Sequence, residues 1–205
     1  MHSKVCHGEI LTGPTHALFA TATGIALIRT RYFELDAISF LILIIGSLAP
    51  DIDSESGSIT KPGKILQGIL PRPFVLTLDH LGTLLSSMAR SISGHRGLFH
   101  TPVVAFGLMG VAWYLRSPRF EWFAIGYMTH IFADACTKMG VPLLWPFVKK
   151  EISFSPIATG SLHERLLAIC LILFVVFAGW GELPDKTKEG FNNIKQVIFE
   201  RSRVR

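Results

Sequence analysis

Residues 166–180 read LLAICLILFVVFAGW, and residues 38–49 read ISFLILIIGSLA. A helix that rests one face on a soluble core keeps a polar stripe on the other, its apolar residues returning at i, i+3, i+4 and i+7. Neither stretch has such a stripe: around a helical wheel both are apolar on every side. Such a helix belongs in the interior of a large protein or in a membrane. A chain of 205 residues has room for one domain or at most two, which makes the large interior hard to build.

The two stretches extend without Asp, Glu, Lys or Arg over residues 37–50 and 166–181, and residues 10–28, 97–115 and 122–133 are equally free of charge. A full bilayer span takes about 20 residues, so each segment alone is marginal, but five in one short chain favour a membrane bundle. Charged residues make up 17% of the chain, against roughly 25% in soluble domains. Low charge with 11% aromatics excludes a disordered chain. The net charge of +5 is spread out, with no basic run longer than Lys149 and Lys150. A nucleic-acid surface needs basic residues clustered on one face, so no nucleic-acid partner is expected. Cys6, Cys136 and Cys170 are odd in number and form no CxxC, which indicates neither a disulfide framework nor a zinc ribbon. The N-terminus lacks the h-region and cleavage site of a secretory signal, so the first hydrophobic segment is expected to be retained.

Punctuation fixes the helix ends. Pro14 suits the first turn of the first hydrophobic helix, Pro50 stops the second, and Thr101 with Pro102 reads as N-cap and N1 of the third. Pro118 separates the third from the fourth, which is expected to run from about residue 119 to 137, before Gly140 and Pro142. Ser161 and Glu164 have capping-box spacing and open the fifth. Residues 54–96 are a polar, extramembrane connection. In its second half Phe74, Leu78, Leu81, Leu85 and Met88 recur at helical spacing, predicting an amphipathic helix on the membrane surface. The expected fold is all-α: a helical membrane bundle of about five hydrophobic helices plus interfacial helices. Residues 1–181 form a single membrane-embedded domain, and residues 182–205 a basic amphipathic tail.

Side chains with ligand chemistry fall at particular ends of these helices. His16 starts the first; Asp51 and Asp53, in PDID, follow the second; His95 and His100, in HRGLFH, precede the third; His130 and Asp134, in HIFAD, lie late in the fourth. Successive membrane helices alternate in direction, so start, end, start and end all lie on one membrane face. Four residues apart, His130 and Asp134 share a helix face with about 6 Å of rise between them. Asp134 in an apolar helix costs several kcal/mol unless paired or coordinated, with Lys138 at i+4 as its alternative partner. Mixed His and Asp donors suit zinc, with manganese or iron as alternatives. The expected donors to a divalent metal are His16, Asp51, Asp53, His95, His100, His130 and Asp134, with Glu164 of the capping box as a further ligand. His80 beside Asp79 reads as a surface pair.

At PDID, HRGLFHT, GYMTHIFADACTKMGVPLLWPF and TGSLHER the chain resembles the YdjM-like family, LexA-regulated inner-membrane proteins regarded as metal-dependent hydrolases. The resemblance covers roughly residues 12–170, and GVPLLWP after the HxxxD pair is its most distinctive part. It implies a multi-pass protein of the bacterial inner membrane and a distant similarity to zinc-dependent phospholipases C. Residue by residue, it matches His16 to the family's early histidine, Asp51 and Asp53 to its PDID acids, His95 and His100 to its HRGxxH pair, and His130 and Asp134 to its HxxxD.

Together these readings anticipate a membrane-bound metal-dependent hydrolase that uses a His/Asp site to activate water against a phosphoester or lipid-derived substrate. Asp53 would act as base and Arg96 would orient phosphate. A metal or proton transporter, or a non-catalytic metal-binding membrane protein, is the alternative. Membrane lipids and a small-molecule or lipid phosphoester are the expected partners.

Overall fold

Each hydrophobic segment becomes a helix, and in four of the five a nearby polar side chain closes the first turn. A computed structural model describes residues 13–30, 34–54, 60–61, 63–93, 97–143, 145, 147–148, 150–154 and 161–182. Its helices are α1 (Gly13–Ile28), α2 (Ala37–Leu48), α3 (Gly63–Leu66), α4 (Arg72–Ser93), α5 (Pro102–Leu115), α6 (Pro118–Ala135) and α7 (Leu162–Glu182). Short 3-10 turns follow α2 (Ala49–Asp53) and precede α5 (Leu98–His100). The described residues contain no strand, only isolated bridges, so the chain is all-α.

Asp36 accepts from the Ser39 N–H at 2.6 Å and caps α2. Thr101 and Ser117 accept from the N–H groups of Val104 and Phe120, and each is followed by proline at N1. Pro118 is thus the first residue of α6, and the helix stops at Ala135, two residues earlier than expected. The cause is Thr137, whose N–H and hydroxyl both turn back onto the Asp134 carbonyl, at 2.9 and 2.7 Å. Gly140, at φ +72°, then turns the chain, and Val141 pairs with Ile152 through two backbone hydrogen bonds. The Glu164 N–H donates to Ser161 Oγ, as an N-cap requires.

The central packing is α2 against α6. A Cβ at Gly46 would stand 2.2 Å from the Phe123 carbonyl oxygen, and one at Gly126 would stand 2.1 Å from that of Leu43. The two backbones therefore touch, as small residues permit between membrane helices. α1 packs on α2, α6 and α7, α5 on α6, and α4 lies over the 3-10 turn after α2. α7 runs parallel to α1: Thr15 bonds Glu164 near one end, and Arg29 Nη1 donates to the Ala178 carbonyl near the other.

Large apolar side chains face outward, and the interior sets polar groups beside its apolar core. Alanines (Ala20, Ala105, Ala112, Ala124, Ala133) share the interior with His16, Ser47, His100, His130 and Asp134. Leu41, Ile45, Val103, Phe106, Leu173 and Phe177 face outward. An apolar surface continued over α2, α5 and α7 marks contact with lipid. At the C-terminal end of α5, Trp113 and Tyr114 are exposed beside Arg116, the pairing found at membrane interfaces.

The five hydrophobic helices expected are α1, α2, α5, α6 and α7, and they differ in length. Leu162–Gly181 is the one described segment long and apolar enough to cross a bilayer. At 1.5 Å per residue, the 21-residue α7 is about 31 Å long, whereas the 12-residue α2 and 14-residue α5 reach only about 18 and 21 Å. Pro50 cuts α2 short, and Arg116, at φ 48°, ends α5. α4 is the expected amphipathic helix, leaving Phe74, Leu81, Leu85 and Met88 exposed. Asp79 does not simply pair with His80 on its surface; its carboxylate accepts from the Gly63 N–H at 2.7 Å and ties α3 to α4. The tail at 183–205 lies outside the described residues.

Candidate metal centre

Five helix ends meet in one layer: the starts of α1, α5 and α7 and the ends of α2 and α6. They bring His16, Asp51, Asp53, His100, His130 and Asp134 into one buried cluster, of which Asp51, at 6% exposure, comes nearest the surface. Four of their atoms close a ring. His100 Nε2 stands 3.7 Å from Asp51 Oδ1 and 3.7 Å from Asp134 Oδ2, and His130 Nε2 stands 3.8 and 3.7 Å from the same two oxygens. His16 Nε2 lies 3.3 Å from the other Asp134 oxygen, Oδ1, and the His16 ring stacks on that of His130 at 3.8 Å.

The cluster is short of hydrogen-bond partners. Among the described residues neither ring nitrogen of His16 or of His100, nor His130 Nε2, nor Asp51 Oδ1, has a hydrogen-bond partner, although all are buried. Each such atom costs about 1–3 kcal/mol when left unmade. Burial by itself would raise the Asp51 carboxyl; the facing imidazoles of His130, His100 and His16 outweigh it and hold the group below the ordinary carboxylate value. Ligands about 2.0–2.1 Å from a tetrahedral zinc are about 3.3–3.4 Å from one another. The edges of the ring exceed that by a few tenths of an ångström, so neighbouring donors on it fit a metal. Asp51, His100 and His130 make one group able to hold an ion; His16, His130 and Asp134 make an adjoining one.

Neighbouring groups orient these donors. His130 Nδ1–H donates to the Ser47 carbonyl at 2.7 Å, which fixes the tautomer and leaves Nε2 as the ligand nitrogen. Asp53 Oδ2 stands 3.7 Å from His100 Nδ1, on the side of the ring away from Asp51 and Asp134. Arg90 of α4 holds the Asp53 carbonyl through both Nε and Nη2, at 3.2 and 3.0 Å. The Tyr127 hydroxyl donates to the Phe99 carbonyl and steadies the turn that carries His100.

Of the residues singled out from sequence, six come together, though not all of them as donors. Asp53 faces His100 from behind and belongs to neither group of donors. Glu164 is likewise outside both groups; its carboxylate accepts from the Thr15 hydroxyl at 2.9 Å, one residue from His16. Lys138 is exposed. His95 and Arg96 lie outside the described residues. Ser47, Thr15, Arg90 and Tyr127 escaped the sequence reading; only the small residues at Gly46 and Gly126 hinted that a backbone carbonyl would come within reach of His130.

The model of the YdjM inner membrane protein family matches residues 11–187, a span containing every donor above. Inner membrane protein YdjM of Escherichia coli (strain K12) is 32% identical over 161 residues, covering 68% of this chain and 78% of its own length. Inner membrane protein YdjM of Shigella flexneri matches with the same figures. No solved structure matches, so the likeness to zinc-dependent phospholipases C has no structural counterpart. On the extent of these two matches, the chain belongs to the YdjM inner membrane protein family.

Proposed function

We propose that the protein is a metal-dependent hydrolase of the bacterial inner membrane, acting on a phosphoester drawn from the lipid layer. The observation that carries this reading is the ring of His100, Asp51, His130 and Asp134, four buried donors with 3.7–3.8 Å edges. Asp51, His100 and His130 would hold zinc, or manganese or iron, and His16, His130 and Asp134 offer an adjoining position. A divalent ion there supplies Lewis-acid polarisation of a phosphoryl oxygen and a water nucleophile near neutral pH.

The chain's own groups divide the remaining work. Ser47 and Asp53 aim the rings of His130 and His100, which makes Asp53 a positioning residue where the sequence suggested a base. Asp51, nearest the surface, is where substrate and water meet the centre. Arg96 keeps its proposed part in orienting phosphate. All described donors lie at one end of the helices, whereas transport sites usually sit near the bilayer midplane; this supports hydrolysis over transport.

A second reading has one observation in its favour: four protein donors are as many as a closed, structural tetrahedral site uses. Structural zinc sites draw mainly on cysteine, and these donors are two histidines and two aspartates, which supports the catalytic reading. Purified protein stripped with chelator and reloaded with zinc or manganese should hydrolyse phosphodiesters in mixed micelles, and Asp51→Ala should abolish that turnover. Stoichiometric metal with no turnover across a phosphoester series would favour the structural role. Metal flux in proteoliposomes without hydrolysis would favour transport.

A further inference from the structure

Between α5 and α6, at the end nearest the metal centre, lies an apolar groove of about 180 Å³. Its floor is Ala105, Ile131 and Ala135, all buried, and its rims are Phe106 and Phe132, both exposed. Every lining side chain is apolar, so water or a phosphate would find no partner there. Three lining positions lie one or two residues from donors: Ile131 follows His130, Ala135 follows Asp134, and Pro102 lies two beyond His100. The rims continue the outward apolar surface of α5 that runs through Val103.

We propose that this groove takes one acyl or alkyl chain of the substrate, placing the attached phosphoester at the metal centre. Resting on the hydrolase reading above, it narrows the substrate class from phosphoesters at large to those bearing a long hydrocarbon chain. Small Ala105 and Ala135 make the hollow, because larger side chains there would fill it. The occupant enters sideways from the bilayer, past Phe106 and Phe132, and its polar end stops at the layer of histidines and aspartates.

The probe is a hexadecyl phosphate with a diazirine in the chain, photolysed with the full-length, metal-loaded protein in micelles, and the adducts mapped. Labelling of peptides carrying Phe106 and Phe132 should exceed that at Phe177, on the outward face of α7, several-fold. Unlabelled hexadecyl phosphate should suppress the excess, and Ala105→Phe should remove it while Phe177 stays labelled. Equal labelling at both faces would overturn the proposal, as would a groove closed by a second copy of the chain, seen as a crosslinked dimer in place of a lipid adduct. If Ala105→Phe fails to keep its fold, Phe132→Ala, which removes an exposed wall, should lower the excess instead; an unchanged excess counts against the groove. The hydrolase reading fails separately: groove labelling without turnover of any phosphoester would sink it alone. Equal kcat/KM for short-chain and long-chain esters would sink the groove alone.

Discussion

His130 of α6 reaches across the helix crossing to donate its Nδ1–H to the carbonyl of Ser47, the last but one residue of α2, at 2.7 Å. That bond turns an apolar helix pair into a support for the centre. It requires the backbones of α2 and α6 to touch, which Gly46 and Gly126 allow, and it leaves Nε2 of His130 facing Asp51 and Asp134.

Gly126→Ala tests that dependence. Its Cβ would meet the Leu43 carbonyl at 2.1 Å, a backbone atom that cannot swing aside, so the helices must separate. Overpacking of this kind costs about 1–3 kcal/mol, and losing an orienting partner lowers metal affinity about 10–100-fold. Thermal unfolding and metal titration of the variant should show both effects; an unchanged affinity would mean that the Ser47 contact does not matter to the site.

Asp51 and Asp53, two residues apart, should respond differently to the same change. Asp51→Asn removes a donor from the ring and should eliminate tight metal binding. Asp53→Asn, behind His100, should keep the metal at about 10–100-fold weaker affinity. Equal loss in both would make Asp53 a ligand after all.

Thr15→Val deletes a buried hydrogen bond to Glu164 and should destabilise the protein by about 1–3 kcal/mol without changing metal stoichiometry. Glu164→Gln should likewise keep its metal. Loss of metal from Glu164→Gln would restore Glu164 to the donor set.

Metal occupancy should fall on acidification. The donors bind as neutral imidazole and ionised carboxylate, so protons compete with the metal. Metal titrations at successively lower pH should therefore show affinity decreasing; affinity that rises on acidification would contradict ligation by imidazole and carboxylate.

The convergence of His16, Asp51, His100, His130 and Asp134 was legible in the sequence, because alternating helix directions and proline stops carry each residue to a known end. What each residue does there was not. Asp53 and Asp51 look equivalent in PDID, and only the 3-10 turn sends one to the front and the other to the back of His100. Glu164 has capping-box spacing, and the parallel packing of α7 on α1 hands its carboxylate to Thr15. Ser47 acts through its backbone, which no side-chain pattern reveals. The end of α6 was placed two residues too late for a different reason: no apolar pattern reveals the turn that Thr137 makes onto the Asp134 carbonyl.

Elemental analysis of the purified, detergent-solubilised protein, beside His130→Ala and Asp51→Ala, tests the central claim most directly. At least one zinc, manganese or iron per chain in the wild type, lost from both variants while each still unfolds cooperatively, is the predicted result. A wild type that binds no divalent metal, or variants that keep the full complement, would contradict it.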